Sequence, residues 1–320
     1  AIKDKTVRDY KNFALSDAYQ QTREIGMDLF MQTKYSWEES LPVAEAVSLS
    51  EIQNFGDSLY KKTFLEVMVY GDFEEKDARK VVTMFQEKTN TKGIDKSEAF
   101  NVKYLEFDNT ETIQYVNNLL VNNSCFYREY LIGKDSPEIR AMTRVIGSAL
   151  QQPFFTEMRT NQQLGYIVGS YTNNKEKNYY LSFLIQSGEY TADDINGRAE
   201  KFISSAPKIF EEMDDETFKQ LIKSEIEKLD KSPMSISERA IKLKNIIFEN
   251  DADYLRDKKT IDALNALKKE SVKKLLSNTL SPKTRKMVNV LSFAKDHQNS
   301  TGVTTSFDNL ESWKNSRRYE

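Results

Sequence analysis

The octapeptide Arg159-Thr-Asn-Gln-Gln-Leu-Gly-Tyr166 places a guanidinium and a phenol close together at the junction of two predicted elements. Arginine offers five N–H donors in a fixed planar arrangement, and the tyrosine hydroxyl offers one more. Such a pair is suited to binding a carbonyl oxygen or an oxyanion. Chemistry alone nevertheless favours a structural alternative, in which the arginine is salt-bridged at a helix end and the tyrosine packs at a sheet edge.

A helix before this pair and a strand after it must hold the two side chains in place. Apolar residues recur at steps of three and four along the preceding segment, which predicts one buried helical stripe. The stripe consists of Ile139, Met142, Val145, Ile146, Leu150 and Phe154. Gly165 interrupts this pattern, and Tyr166-Ile167-Val168 is typical of a strand. We therefore expect a helix at 136–161 and a strand at 164–172.

The rest of the chain shows the same mixture of helical and strand periodicities. Residues 1–60 are predicted to be helical, followed by a strand at 65–69 and a helix at 74–87. Further strands are expected at 100–108, 112–122, 124–132, 178–187 and 286–291, and further helices at 191–213, 214–229, 235–249 and 260–278. Pro207 should kink its helix, because proline lacks the N–H donor and clashes with the preceding turn.

An internal repeat suggests two related domains. The helix-then-strand segment Leu49–Val69 recurs as Leu267–Val290, at an offset of roughly 220 residues, about the size of one domain. We therefore predict four parts: 1–90 as the rear of an N-terminally incomplete α+β domain, 91–100 as a linker, 101–295 as a complete copy, and 296–320 as a polar tail. Phe307 and Trp313 are the residues expected to dock that tail.

Composition excludes several classes of protein. The chain carries 46 Lys plus Arg against 49 Asp plus Glu, a net charge of −3, which argues against a dedicated nucleic-acid binder. It has no run of 18 apolar residues, so no membrane-spanning helix is expected. The single Cys125 cannot form an intrachain disulfide. The single His297 leaves no second imidazole for a catalytic triad or a metal site, and we expect it to be a solvated surface residue.

The segment from Phe154 to Val168 resembles the R-x-x-x-Q-L-G-Y motif in the C-terminal half of the pitrilysin and insulin-degrading-enzyme family of zinc metallopeptidases (M16). Residues Tyr115–Cys125 resemble the strand that precedes the helix in that half, and Tyr180–Ser187 resemble the strand that follows it. The resemblance covers nearly the whole chain. It implies tandem duplicated α+β domains, each with a mainly antiparallel sheet and helices packed on one face.

The resemblance also implies how the chemistry is divided. In this family the N-terminal half holds zinc through His-x-x-Glu-His and a distant Glu, while the C-terminal half closes the substrate chamber. The Arg and Tyr of the shared motif contact the peptide beside the scissile bond, and they correspond to Arg159 and Tyr166. Phe155 is a third candidate for substrate contact, with Phe154 or Phe155 in the core and the other facing the cavity. Zinc would belong to the full enzyme, so this chain alone is predicted to bind no zinc and cleave no peptide.

The expected partners are an N-terminal catalytic half or subunit and peptide substrates. Residue 1 would lie inside the third of four domains, so we expect a fragment or one subunit of a divided enzyme. The incomplete first domain predicts an exposed sheet edge or apolar face, which also leaves a homodimer open. The alternative is a non-catalytic partner subunit or structural module of the same family, although the intact Arg159 and Tyr166 favour a working half. The peptide cleaved and the compartment stay open.

Overall fold

The fold combines many helices with one large sheet, and the computed structural model describes all of residues 1–320. Its helices are α1 (Ile2–Phe13), α2 (Ala18–Phe30), α3 (Trp37–Ala46), α4 (Leu49–Leu59), α5 (Glu75–Thr89), α6 (Pro137–Phe155), α7 (Ala192–Ser205), α8 (Lys208–Glu212), α9 (Asp215–Asp230), α10 (Ile236–Lys244), α11 (Arg256–Asn265), α12 (Lys269–Leu280) and α13 (Leu310–Asn315). Its strands are β1 (Lys62–Thr63), β2 (Lys92–Gly93), β3 (Glu111–Asn118), β4 (Ser124–Lys134), β5 (Ile167–Lys175), β6 (Asn178–Ser187) and β7 (Lys286–Phe293). A 3-10 turn covers Lys96–Glu98, and π-helical turns at Thr156–Asn161 and Asn245–Glu249 extend α6 and α10. None of the helices is both long and apolar enough to cross a membrane.

The large sheet has five strands in the order β3-β7-β4-β6-β5. Strand β4 pairs antiparallel with β6 and β7, and β5 pairs antiparallel with β6, whereas β3 and β7 are parallel. This mainly antiparallel sheet with associated helices confirms the predicted α+β fold class.

Each face of the sheet carries its own apolar cluster. Helices α6, α7 and α12 pack on one face, where Val145, Leu150 and Phe154 are completely or almost completely buried. Helix α2 crosses the opposite face and buries Leu29 and Phe30 there. The helices of residues 101–295 that contact the sheet thus lie on one face of it, as expected. Helix α2 of the N-terminal segment covers the other face.

A buried ion pair lies on the face of the sheet that α2 covers. Lys175 Nζ is 2.6 Å from Glu129 Oε2, and both residues are almost fully buried. The Tyr127 hydroxyl also donates to this carboxylate at 2.9 Å. The Lys175 ammonium lies 4.3 Å from the ring centroid of Phe30 and 4.4 Å from that of Tyr180. The C-terminal end of α2 is therefore held by a charged network as well as by apolar packing.

The N-terminal segment differs from its prediction in one respect. The strand expected at 65–69 was wrong, because only the two-residue strands β1 and β2 pair with each other in this region. A strand is stable only when neighbouring strands satisfy its backbone groups, and no such neighbour lies beside 65–69. The proposed repeat therefore rests on the helices α4 and α12, and the domain boundaries stay a prediction.

Three further segments refine the predicted elements. The strand at 100–108 was wrong, since only isolated bridges from Tyr104 to Met31 and from Leu105 to Tyr319 form there. The helix expected at 191–213 is broken at Pro207 into α7 and α8 rather than kinked. The helix expected at 260–278 is likewise two helices, α11 and α12.

The tail after β7 docks on the edge of the sheet through its aromatic residues. Phe307 stacks on Trp313 with ring centroids 4.7 Å apart and lies 6.0 Å from the ring of Tyr115 on β3. Packing of these rings explains how a polar segment is held against the edge strand.

Candidate functional site

The helix before Arg159 is firmly seated. Ser136 caps α6 by accepting a hydrogen bond from the Ile139 amide at 3.1 Å, and Pro137 occupies the first helical position, where its missing donor is harmless. The predicted apolar stripe faces the core. Beyond Phe155 the chain widens into the π-helical turn Thr156–Asn161, which carries Arg159. Such π-turns within helices are rare and occur frequently at functional sites.

Two buried side chains anchor the turn between Arg159 and Tyr166. Met158 and Leu164 are 0% and 1% exposed, and the Leu164 amide donates to the Met158 carbonyl at 2.9 Å. Between them Gln163 has a φ of 52°, in the left-handed region that few residues other than glycine adopt. The backbone of this turn is therefore fixed at both ends. No sequence pattern predicts the left-handed conformation of Gln163.

Gly165 is required by close backbone contact. A Cβ atom placed on it would lie 1.9 Å from the carbonyl oxygen of Gln186, the residue that pairs with Ile167 in the β5–β6 ladder. Only glycine permits this approach. The backbone before β5 therefore packs directly against the end of β6. This contact fixes the position of Tyr166, the next residue along the chain.

Arg159 and Tyr166 contact each other directly. The Arg159 Cζ atom lies 4.3 Å from the centroid of the Tyr166 ring, a cation–π contact, and Tyr166 is 86% exposed. Neither side chain makes an ion pair or hydrogen bond within the chain. The nearby carboxylate of Glu157 instead accepts from Asn161 at 2.8 Å and from Gln162 at 2.9 Å, which lowers the pKa of Glu157. This geometry differs from the structural alternative of a salt-bridged arginine and a packed tyrosine.

The two phenylalanines before the turn have different environments. Phe154 is fully buried, with ring centroids 5.0 Å from Phe183 and 5.3 Å from Phe202. Phe155 is 39% exposed. A groove of about 620 Å³ lies beside the π-turn between α6 and α7, but Phe155, Arg159 and Tyr166 are not among its lining residues. The pair therefore lies outside that groove, and the role of Arg159 and Tyr166 in substrate contact stays a prediction.

The residues present do not fit a zinc site. The chain brings together no group of three His, Cys, Asp or Glu side chains that could hold a metal ion. His297 is half-buried rather than fully solvated as expected, and its Nδ1 atom has no hydrogen-bond partner. Zinc coordination needs several convergent ligands, so no step of a reaction can be assigned to a metal held by this chain.

Comparison with known proteins gives consistent matches. Residues 145–244 match the family described as "PQQ synthase PqqF-like, C-terminal lobe domain 4". The chain is 23% identical to the A-factor-processing enzyme of Saccharomyces cerevisiae over 277 residues, covering 85% of this chain and 27% of that protein. It is 24% identical to the insulin-degrading enzyme of Homo sapiens over 286 residues, covering 88% of this chain and 28% of that protein.

A solved structure matches over almost the entire chain. The crystal structure of pitrilysin superposes with a TM-score of 0.84 at 18% identity, covering 99% of this chain and 34% of that one. This likeness establishes the fold. The chain spans between about a quarter and a third of the length of these relatives, with shares of 27%, 28% and 34%.

Proposed function

The chain belongs to the pitrilysin and insulin-degrading-enzyme (M16) family of peptidases as part of its C-terminal, non-zinc half, and from this premise we propose that it forms one side of a peptide-binding chamber. In this proposal Arg159 and Tyr166 bind the substrate beside the scissile bond. The observation that carries the proposal is the contact between their side chains, which leaves the donors of both without partners in the chain.

The geometry is suited to stabilising negative charge. The aromatic ring of Tyr166 restricts the motion of the Arg159 side chain while leaving its N–H groups free, so less rotamer entropy is lost when a ligand binds. As a peptide carbonyl is attacked, its oxygen becomes an oxyanion that can accept from the guanidinium and the phenol. Loss of one such preorganised donor typically reduces turnover by about 10²–10³.

The remaining chemistry is assigned to a partner half. Zinc and the general base would lie on an N-terminal half or subunit, because this chain has no convergent metal ligands. The role of the present chain is then to bind and orient the peptide and to exclude water from the closed chamber. Phe155, partly exposed immediately before the π-turn, is the apolar contact proposed for a substrate side chain.

Steady-state kinetics of the assembled enzyme test this proposal. Arg159→Ala and Tyr166→Phe are each expected to lower kcat by roughly 10²-fold or more, with little change in the melting temperature. Tyr166 is exposed, Arg159 is half-buried, and neither side chain makes a hydrogen bond in the fold, so their removal should affect catalysis more than stability.

Two matched variants control for the loss of an exposed arginine or tyrosine as such. Arg239→Ala and Tyr254→Phe change exposed residues of the same types outside the turn that carries Arg159 and Tyr166, and both should retain normal kinetics. Near-normal turnover in Arg159→Ala and Tyr166→Phe would refute the proposed roles. It would support instead a non-catalytic subunit of the same family.

A further inference from the structure

A second polar feature lies away from the π-turn. A cavity of about 850 Å³ opens between α1, α2 and α3, and β3 and α13 complete its wall. None of its lining residues belongs to the turn that carries Arg159 and Tyr166. Six carboxylates face it against a single lysine, Lys34; they are Asp9, Glu24, Asp28, Glu38, Glu39 and Glu311. The cavity is therefore strongly negative, although the chain as a whole is close to neutral.

Asp28 is the least satisfied of these carboxylates. It is only 5% exposed, yet its Oδ1 atom accepts no hydrogen bond. Lys34 Nζ lies 3.8 Å from that oxygen, too far for a hydrogen bond, and is engaged by Glu24 at 2.9 Å. The other nearby cation, Lys314, donates to the Lys34 carbonyl at 2.8 Å. A buried charged oxygen without a full partner is costly, so a cation that reaches this wall of the cavity would stabilise it.

The other wall of the cavity is aromatic. Tyr10, Phe13, Tyr35, Trp37 and Tyr115 line it together with the carboxylates. The faces of aromatic rings attract organic cations and also pack against the apolar stems that carry them. Aromatic and acidic walls together are suited to a basic side chain with a methylene stem.

The arrangement does not suit a bare metal ion. No three carboxylates of the chain converge closely enough to chelate one, and the cavity is far larger than a hydrated divalent ion needs. Dispersed carboxylates can instead attract an extended cation over several ångströms without direct coordination.

We propose that this acidic aromatic cavity binds an alkylguanidinium or alkylammonium group, in the form of an arginine or lysine side chain presented by a peptide. Asp28 is the buried counter-charge, and Trp37 and Tyr115 are the rings beside the stem. Glu38 and Glu311, which make no ion pair within the chain, supply the surrounding negative field. The inference does not depend on the roles of Arg159 and Tyr166.

Calorimetric titration of the 320-residue chain tests the site with charge-matched ligands. The probe is an acetylated, amidated Gly-Arg-Gly peptide, and its control is the same peptide with citrulline, which keeps the shape of arginine and removes its charge. The arginine peptide should bind about tenfold tighter or more, because citrulline keeps N–H donors but loses the positive charge that strengthens a hydrogen bond to a carboxylate. The indole N–H resonance of Trp37, one of only two tryptophans, should shift on binding.

Protein variants locate the binding. Asp28→Asn should abolish the preference for arginine over citrulline, and Glu38→Gln should weaken arginine binding several-fold without risk to the core. Glu212→Gln removes an exposed carboxylate outside the cavity and should leave the affinity unchanged. If Asp28→Asn does not fold, Glu38→Gln and the Trp37 resonance still decide the question.

The remaining outcomes separate the sources of the cation. Binding of butylguanidine alone as tightly as the peptide would support the site and assign it to a free small cation, whereas tighter binding of the peptide would assign it to a side chain. Equal affinities for the arginine and citrulline peptides would overturn the proposal. So would displacement of the arginine peptide by calcium at constant ionic strength, which would identify a metal site instead.

Discussion

Burial raises the pKa of Asp28 from 3.8 to about 6. Lys34 and Lys314 lower this pKa and Glu24 and Glu39 raise it, but loss of solvation is the largest effect. Because the folded pKa is above the unfolded one, the folded state holds the proton more tightly. Below about pH 4 the Asp28 carboxyl is protonated in both the folded and the unfolded state, so its pKa shift does not lower the free energy of unfolding. The cost to stability grows as pH rises from about 4 to about 6, where the unfolded state has lost the proton and the folded state still holds it, and it is complete above about 6.

Replacement of Asp28 by asparagine should remove that cost. The free energy of unfolding of Asp28→Asn relative to the native chain is expected to rise by on the order of 2–3 kcal/mol between about pH 4 and pH 7. Urea denaturation at several pH values measures it. Glu212→Gln, on the exposed surface, should show no such rise. If the free energies of unfolding of Asp28→Asn and the native chain differ by the same amount at all pH values, the pKa of Asp28 is not raised.

At the scale of secondary structure, Gly165 determines how the π-turn joins β5. Gly165→Ala would place a methyl group 1.9 Å from the Gln186 carbonyl oxygen, so the strand must shift. We expect a loss of about 1–3 kcal/mol or more in the free energy of unfolding, as for overpacked sites. Gly169→Ala, within β5 itself, is the matched control, because nothing lies within 4 Å of its Cβ position, and it should be neutral or stabilising. Equal stability of the two variants would be inconsistent with this contact.

The buried ion pair between Glu129 on β4 and Lys175 on β5 allows a separate prediction about stability. Glu129→Gln leaves the Lys175 ammonium buried without its counter-charge and should destabilise the fold by about 3–5 kcal/mol. Adding Lys175→Met removes the unpaired buried charge, so the double variant should recover most of the stability that Glu129→Gln loses. Glu75→Gln breaks an ion pair that is 77% exposed on both sides, and should change stability by less than about 1 kcal/mol. Denaturant melts of the four proteins compare these effects; a double variant no more stable than Glu129→Gln would contradict the explanation.

Elements with strong local patterns could be predicted from the sequence, whereas elements that depend on distant partners could not. The stripe from Ile139 to Phe154 predicts α6 because its spacing alone defines a buried face. The apolar alternation at 65–69 gives no strand, since alternation does not reveal whether a partner strand is present. Likewise, a glycine at 165 is visible in the sequence, but the reason for it is the carbonyl of Gln186, which lies on another strand.

The candidate site was predictable in part. The spacing of Arg159 and Tyr166 across an element boundary indicated that they lie near one another. Their stacking depends on the left-handed backbone of Gln163 and on the buried anchors, which no local pattern specifies. The acidic cavity escaped prediction because its carboxylates range from Asp9 to Glu311 along the chain.

For the whole molecule, the N-terminal segment leaves an apolar surface uncovered. Leu49, Ile52, Phe55 and Leu59 lie on α4 and are 71%, 52%, 65% and 49% exposed. Contiguous apolar side chains of this kind mark interaction surfaces. We expect the isolated chain to self-associate as its concentration rises, and the double variant Ile52→Gln/Phe55→Gln to be more monomeric in sedimentation velocity.

A control for this prediction is Ile236→Gln, which removes an apolar residue that is 74% exposed on α10 and should leave association through α4 unchanged. A native chain that stays monomeric at every accessible concentration would show that α4 does not mediate self-association.

Reconstitution with the N-terminal half that we propose to carry zinc tests the proposed function most directly. Neither half alone should hydrolyse a fluorogenic peptide, and mixing the two should restore hydrolysis. The double variant Arg159→Ala/Tyr166→Phe should form the same complex by light scattering, yet turn over roughly 10²-fold or more slowly. The opposite result would be full activity of the zinc-bearing half alone, or native turnover in the complex with the double variant. Either would show that the catalytic chemistry does not depend on this chain's Arg159 and Tyr166.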